Sequence, residues 1–235
     1  MKTVKRGYVP NDEKEFNETS MKIMKMAGED IFYIINRGYP IKSAVTFVGD
    51  HYLLSERQRM ALTRIISSAD NISIRLSKEI KENLAEIIVH IDGFNTIITM
   101  ETAFSDSTLL KCMDGTIRDL AGLRGTYRLI DKTDMAITSI GDELNRFKIK
   151  KAFFYLDAPV SNSGRLSQRI KDLFKNYPFE TETLIINDVD RILYGKENVI
   201  TSDAIILDKC KSWINLNKSI IEDKIGKYSY VDISL

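Results

Sequence analysis

Apolar positions change their spacing about a third of the way along the chain. Met21, Met24, Ala27, Ile31 and Ile34 recur at the three-to-four-residue step of one helical face. Asn36-Arg37-Gly38-Tyr39-Pro40 ends that helix, since glycine accepts a left-handed cap and proline cannot continue the hydrogen-bond ladder. Ala44, Val45, Phe47 and Val48 read as a short apolar turn before a loop at Gly49-Asp50-His51. Ser55-Glu56-Arg57-Gln58 has capping-box spacing, and Ala61, Leu62, Ile65 and Ile66 supply the inner face of the next helix. Residues 67–85 are more polar and end in a helix around 77–84, while residues 1–16 are polar and loosely docked. The first third, residues 1–85, is therefore predicted to be a helical domain.

From residue 86 the pattern shortens. In EIIVHIDGFN (86–95) the apolar and mostly β-branched run Ile87-Ile88-Val89-His90-Ile91 is stopped by Asp92 and Gly93. A short apolar run ended by a carboxylate and a glycine reads as a buried parallel strand that delivers an acid to its C-terminal end. Three later stretches repeat the arrangement. Ala152-Phe153-Phe154-Tyr155-Leu156 runs into Asp157, Thr183-Leu184-Ile185-Ile186-Asn187 into Asp188, and Asn198-Val199-Ile200-Thr201-Ser202 into Asp203. Helical patterns separate them: 96–104, a helix capped by Asp134 with Ile137, Ile140, Leu144 and Phe147 inward, and one carrying Leu166, Ile170, Leu173 and Phe174. A short strand is predicted at 109–112, and 211–224 reads as a closing helix with Trp213, Leu216, Ile220 and Ile221. Strands alternating with helices predict an α/β domain over residues 86–235 with a mainly parallel sheet. In such a sheet all four acid-bearing ends share one edge, the edge where ligands bind.

Composition narrows the class. A hydrophobic share of 43% and a charged share of 29% are those of a soluble globular protein with material for a core. Thirty-four basic against 33 acidic residues leave a net charge of +1, so no global field singles out nucleic acid. Residues 1–85 carry 14 basic and 11 acidic groups against 20 and 22 for 86–235, a mild asymmetry that decides little. Cys112 and Cys210 form neither a CxxC pair nor a disulfide framework, which points to a reducing cytoplasm. Met1-Lys2-Thr3-Val4-Lys5-Arg6 precedes no apolar signal region, and no apolar run nears the roughly 20 residues of a membrane span, so no membrane association is expected.

Several carboxylates on one rim repel each other unless a cation neutralises them. Hard oxygen donors suit Mg²⁺ or Mn²⁺. Asp92, Asp157 and Asp203 are the leading candidate ligands, with Asp188 and Asp119 behind them; Asp190 is weaker because spacing lets only one of Asp188 and Asp190 point into the cleft. Aspartate after a strand is also ordinary turn chemistry, an explanation that suits one position better than four. Asn95 can orient a water or phosphate, or cap the helix it starts, and the two roles are compatible. Ser161, Asn162, Ser163 and Arg165 place hydroxyls, backbone N–H groups and a cation at a helix N-terminus, which attracts phosphate. Ser202 can fix a ligand oxygen or cap the next segment. Arg118, Arg124, Tyr127 and Arg128 interleave basic and aromatic residues in the manner of a backbone- and base-binding surface, or are simply solvated. His90 lies inside a strand as a packing residue, so a Ser-His-Asp or Cys-His mechanism is not expected. Cys112-Met113-Asp114-Gly115-Thr116 resembles the DxDGT motif of haloacid-dehalogenase-like phosphatases. A cysteine, however, stands where their nucleophilic aspartate would be.

The IDGFN, DAPVSNSGRL and TSDAIIL segments resemble an uncharacterised two-part prokaryotic family over nearly the whole chain. Its N-terminal piece, similar to RGYPIKSAVTFVGDHYLLSERQR, is domain-of-unknown-function family 434. The C-terminal part is also similar to the PIN/NYN nuclease superfamily, in which an aspartate ends the first strand, often followed by glycine, an aromatic residue and asparagine. That resemblance implies a three-layer αβα PIN-like domain whose acids hold Mg²⁺ or Mn²⁺ for RNA cleavage. Asp92 and Asn95 correspond to the opening motif, Asp203 to the late strand-end acid and Asp157 to an intermediate one. The function expected is a metal-dependent ribonuclease with RNA as partner, with a homo-oligomer also in view. A phosphatase acting on a small phosphate ester, or a non-catalytic RNA- or protein-binding module, is the alternative.

Overall fold

The computed structural model describes residues 4–122, 125–225, 228 and 230–233. Helices α1 (Asp12–Glu15), α2 (Glu18–Ile35), α3 (Ile41–His51), α4 (Glu56–Ile65) and α5 (Ala69–Ser77) come first. Strand β1 (Ile88–Asp92), helix α6 (Gly93–Phe104), strands β2 (Leu109–Lys111) and β3 (Ile117–Asp119) and helix α7 (Thr133–Arg146) come next. Then come β4 (Lys151–Asp157), α8 (Ser163–Phe174), β5 (Glu180–Ile186), α9 (Val189–Leu193), β6 (Val199–Ile200) and α10 (Ala204–Lys209). Helix α11 (Leu216–Ile220) runs into a π-helical turn, Ile221–Ile225, before β7 (Tyr230–Val231).

Four strands form a wholly parallel sheet in the order β5-β4-β1-β6, with Asp92 of β1 level with Tyr155 of β4. Strand alternation sends successive side chains to opposite faces. Val89, Ile91, Ala152, Phe154 and Leu156 therefore pack with Ile97 and Met100 of α6, Ile137 and Ile140 of α7, and Leu166 and Ile170 of α8. Phe153 and Tyr155 pack on the other face with Val189 and Leu193 of α9, Ile206 and Leu207 of α10, and Trp213. The result is a mixed α/β fold of three layers, helix–sheet–helix, as the alternating pattern predicted.

A second sheet, β3-β2-β7, carries the helical N-terminal part. Met24, Ala27 and Ile31 of α2, Val45 and Val48 of α3 and Leu62 and Ile65 of α4 share one core with Leu110, Leu120, Val231 and Ile233. Buried polar bonds stitch the same junction. Arg57 grips both oxygens of Asp12 at 2.9 and 2.7 Å. Arg6 reaches Glu101 of α6 at 2.8 Å, where Tyr127 and Thr133 also donate to the carboxylate. The N-terminal segment, read from its polarity as loosely docked, is thus held by a buried ion pair.

Other local readings also change. The apolar turn at 44–48 is the middle of α3: Pro40 sits at the helix start, where its missing N–H costs nothing, and Ala44, Val45 and Val48 face inward. The helix placed around 77–84 is α5, Ala69–Ser77, capped by Ser68 onto Asn71 N. Asp134 does not cap α7; it pairs with Arg169 of α8 instead. Trp213 lies in a bridge beside β6, its indole donating to Arg75 O at 2.7 Å, and the closing helix starts only at Leu216. No helix of the described residues is long and apolar enough to cross a membrane.

Candidate active site

Strand β1 ends in Asp92, and α6 begins at the next residue. The turn is so close to β4 that a Cβ on Gly93 would stand 2.6 Å from Leu156 Cδ2 and 2.8 Å from Tyr155 O. Glycine is the residue that fits there, and it fixes where the acid sits. Asp92 Oδ1 accepts from Asn95 N at 3.4 Å, and its Oδ2 accepts from Thr201 Oγ1 at 2.9 Å. The same Thr201 oxygen accepts from Asp203 N at 3.0 Å, so one hydroxyl connects the acids ending β1 and following β6. Asn95 Oδ1 is held by Ser202 Oγ at 2.6 Å and Ser202 N at 3.2 Å. Asp203 caps α10 with a single oxygen, Oδ1, onto Ile205 N and Ile206 N.

Charge makes this edge unusual. Asp92 is 6% exposed. Burial pushes its pKa up to about 7; the Thr201 hydrogen bond opposes the shift, and negative Asp203 and Asp190 reinforce it. Asp190 is raised by burial and by Asp203, Asp157 and Asp188, with Lys209 pulling the other way. Asp157 is raised by burial and by Asp188, against a weak backbone bond from Val189 N at 3.4 Å. Five acids from β1, β4 and the segments after β5 and β6 thus form one electrostatic cluster. Among the described residues none of them forms an ion pair, although 18 such pairs occur elsewhere. Within the described residues no three His, Cys, Asp or Glu side chains converge tightly enough to grip one ion by themselves. The donors are nonetheless hard oxygens whose mutual repulsion a divalent cation relieves, and Mg²⁺ commonly takes one or two carboxylates and fills its remaining positions with water.

Sequence reasoning underrated Asp190. It sits in α9, two residues after the left-handed Asp188, and its field reaches Asp92, Asp157, Asp188 and Asp203. The spacing argument let only one of Asp188 and Asp190 serve the cleft, whereas the helical turn at Val189 brings both toward Asp157. Asp119, predicted as a further metal ligand, lies instead in β3 of the second sheet. Its carboxylate accepts from Thr99 Oγ1 and Ala121 N, each at 2.8 Å, and faces Arg64. Arg118, predicted to bind substrate, is turned into the interior: it bonds Asp114 at 2.5 Å and Arg64 O at 2.6 Å. Ser161 and Asn162 are likewise occupied. Ser161 Oγ accepts from Tyr127 N and donates to Tyr127 O, and Asn162 Nδ2 donates to Tyr127 O at 2.6 Å. Ser163 and Arg165 open α8 with no such commitments among the described residues, and Arg124 lies outside them. His90 stacks on Phe153 and bonds Tyr155 through Nδ1; burial and Lys196 lower its pKa to about 4, so it is neutral at pH 7. Cys112 is buried and pushed up to about 11, the opposite of an activated nucleophile.

Comparison with known proteins agrees with the two-part resemblance. Residues 23–78 match the family described as Protein of unknown function (DUF434). An uncharacterized protein of Methanocaldococcus jannaschii is 36% identical over 186 residues, covering 78% of this chain and 88% of that protein. No solved structure matches the chain. Residues 81–219, which carry every acid of the cluster, match the remaining model, so the chain belongs to the family described as Domain of unknown function (DUF5616).

Proposed function

We propose that this chain is a PIN-like, metal-dependent phosphodiesterase that cleaves RNA. The observation that carries the reading is Asp92: a buried carboxylate raised to about 7, facing Asp203 and Asp190 with no ion-paired cation among the described residues. An acid cluster of this kind stores repulsion that a divalent ion removes, and acids perturbed by burial and by each other's charge are enriched at functional sites.

In this reading Asp92 and Asp203 hold Mg²⁺ or Mn²⁺, with Asp190 and Asp157 adding negative field or water-mediated contacts. The bound ion supplies Lewis acidity toward a phosphoryl oxygen and lowers the pKa of a coordinated water. Thr201 keeps Asp92 and Asp203 in register by donating to one and accepting from the backbone of the other. The Asn95 carbonyl is fixed by Ser202, which leaves its amide nitrogen to donate to a substrate oxygen. Asp92 is half-protonated near pH 7, so loading the metal releases a proton and activity rises through neutral pH.

The test is incubation of single-stranded and structured RNA with Mn²⁺ and the full chain, beside Asp92→Asn. Loss of a direct ligand is expected to lower the cleavage rate by more than about 100-fold, since even groups that merely orient ligands are worth 10–100-fold. Equal cleavage by both proteins would remove the site from consideration. Turnover of nucleotides or sugar phosphates, with RNA left intact, would favour the phosphatase reading.

A further inference from the structure

Helix α8 carries two arginines one turn apart in different circumstances. Arg169 is neutralised by Asp134 through bonds at 2.5 and 2.6 Å. Arg165 is exposed and has no carboxylate partner among the described residues. It lines a cavity of about 520 Å³ together with Asn162, Leu129 and Arg128, a second exposed arginine whose guanidinium is equally unpaired. Two like charges facing one concavity repel, and the arrangement is stabilised when an anion enters between them.

The surroundings fix the two backbone segments that carry these arginines. Residues 125–129 are tied to the loop between β4 and α8 by four bonds. Ser161 N donates to Gly125 O, Ser161 Oγ bonds both Tyr127 N and Tyr127 O, and Asn162 Nδ2 donates to Tyr127 O. Arg6 anchors the other side by donating to Arg128 O at 2.6 Å, and its guanidinium lies 5.0 Å over the Tyr127 ring. The sequence assigned Ser161 and Asn162 to phosphate; their polar atoms instead fasten the arm that presents Arg128. Ser163, 9% exposed, begins α8, and no side chain caps this helix. Ser163 N donates to Val160 O, and the first turn of α8 beside Arg165 has no side-chain cap among the described residues.

We propose that Arg128 and Arg165 form a backbone-phosphate subsite for single-stranded RNA, distinct from the acids and set between the first turn of α8 and the 125–129 arm that is tied to the loop leaving Asp157. It rests on RNA being the substrate, and it places a non-scissile phosphate there. A planar guanidinium pair suits the forked hydrogen bonding of phosphodiester oxygens, and Leu129 offers an apolar patch beside it. The scissile phosphate goes to the acidic rim, so the strand runs from the β1–β6 end of the sheet across the β4–α8 loop.

The experiment uses the Asp92→Asn protein with a fluorescent oligouridylate in chelator, so that binding is read without cleavage. Arg128→Ala with Arg165→Ala in that background is expected to weaken binding roughly tenfold at low salt. It should also flatten the slope of log K against log salt by about 1.4, that is about 0.7 for each single-strand phosphate no longer neutralised. The double lysine variant, which keeps the charge, restores most of the slope. Unchanged affinity and slope in the alanine pair would overturn the subsite, as would failure of Asp92→Asn to bind RNA at all. If the wild-type protein cuts no RNA and the slope still falls, the subsite stands and the nuclease reading goes.

Discussion

Asp92 and Asp114 are both hidden from solvent, at 6% and 0% exposure, and their surroundings drive them in opposite directions. Burial alone would raise both. Around Asp114 it is outweighed by Arg118, by Thr116 and by Arg75, whose guanidinium bonds Asp114 at 2.7 Å, so this carboxyl is held below the usual range. Around Asp92 the neighbouring charges are Asp203 and Asp190, and the carboxyl rises to about 7. Asp114 sits where the N-terminal helices meet the α/β part, bridging Arg75 of α5 to Arg118 of β3, with Arg75 continuing to Asp208 at 2.7 Å. Its charge is used up in holding the molecule together. The charge on Asp92 is left over, which is what a site for a cation requires.

The contrast breaks first at Asp114. Asp114→Ala leaves the buried Arg118 without a carboxylate and Arg75 with Asp208 alone, and is expected to cost about 3–5 kcal/mol, read as a lower denaturant midpoint. A loss under 1 kcal/mol would mean that the ion pairs do not hold the junction.

The next effect is a pH dependence of opposite sign. A carboxyl with a folded pKa near 7 and an unfolded value of 3.8 binds its proton more tightly in the native state. Its stabilising contribution is complete below the unfolded value and is lost as pH rises through about 7. The swing is on the order of 4 kcal/mol, from about 1.4 kcal/mol per pKa unit. Asp92→Asn carries no such proton, so it should match the wild type near pH 4 and exceed it in stability at pH 8. Parallel stability curves from pH 4 to 8 would show that Asp92 is not strained.

The smallest effect sharpens the comparison from the ligand side. At pH 8, Mn²⁺ at about 100 times its dissociation constant should stabilise the wild type by about 2.7 kcal/mol. The gain should shrink at pH 5, where Asp92 holds its proton, and in Asp92→Asn at either pH. Equal stabilisation of wild type and variant would place the ion elsewhere.

The parallel sheet was legible because β1, β4, β6 and the second half of β5 are short, apolar and mostly β-branched or aromatic runs with a carboxylate at or just beyond the end, features that length and composition assign to strands. Helix α3 was obscured by Pro40, which reads as a terminator of α2 and serves equally well to open the next helix. Asp119 and Arg118 were misplaced because a second small sheet, closed by a two-residue strand near the C-terminus, takes β3 away from the main edge. Nothing in the local sequence announces that pairing. Asp190 was undervalued because strand periodicity was extended across a position where Asp188 adopts a left-handed turn and helix begins. Ser161 and Asn162 have the residue types of a phosphate loop, but their partners lie on a segment more than thirty residues earlier, and only tertiary structure shows those donors already engaged.

Gly93 and Asp92 are adjacent in the chain yet answer to different demands. The glycine is required by the backbone of β4, which leaves no volume for a methyl group whatever reaction takes place nearby. The carboxylate beside it burdens the fold, and under the proposed function a bound cation offsets that burden. If the proposed function holds, a descendant that has lost the chemistry has no reason to retain that acid and good reason to discard it. The missing side chain at 93 would outlast the function, so an Asp-to-neutral change beside an intact glycine is the mark by which an inactive relative can be recognised.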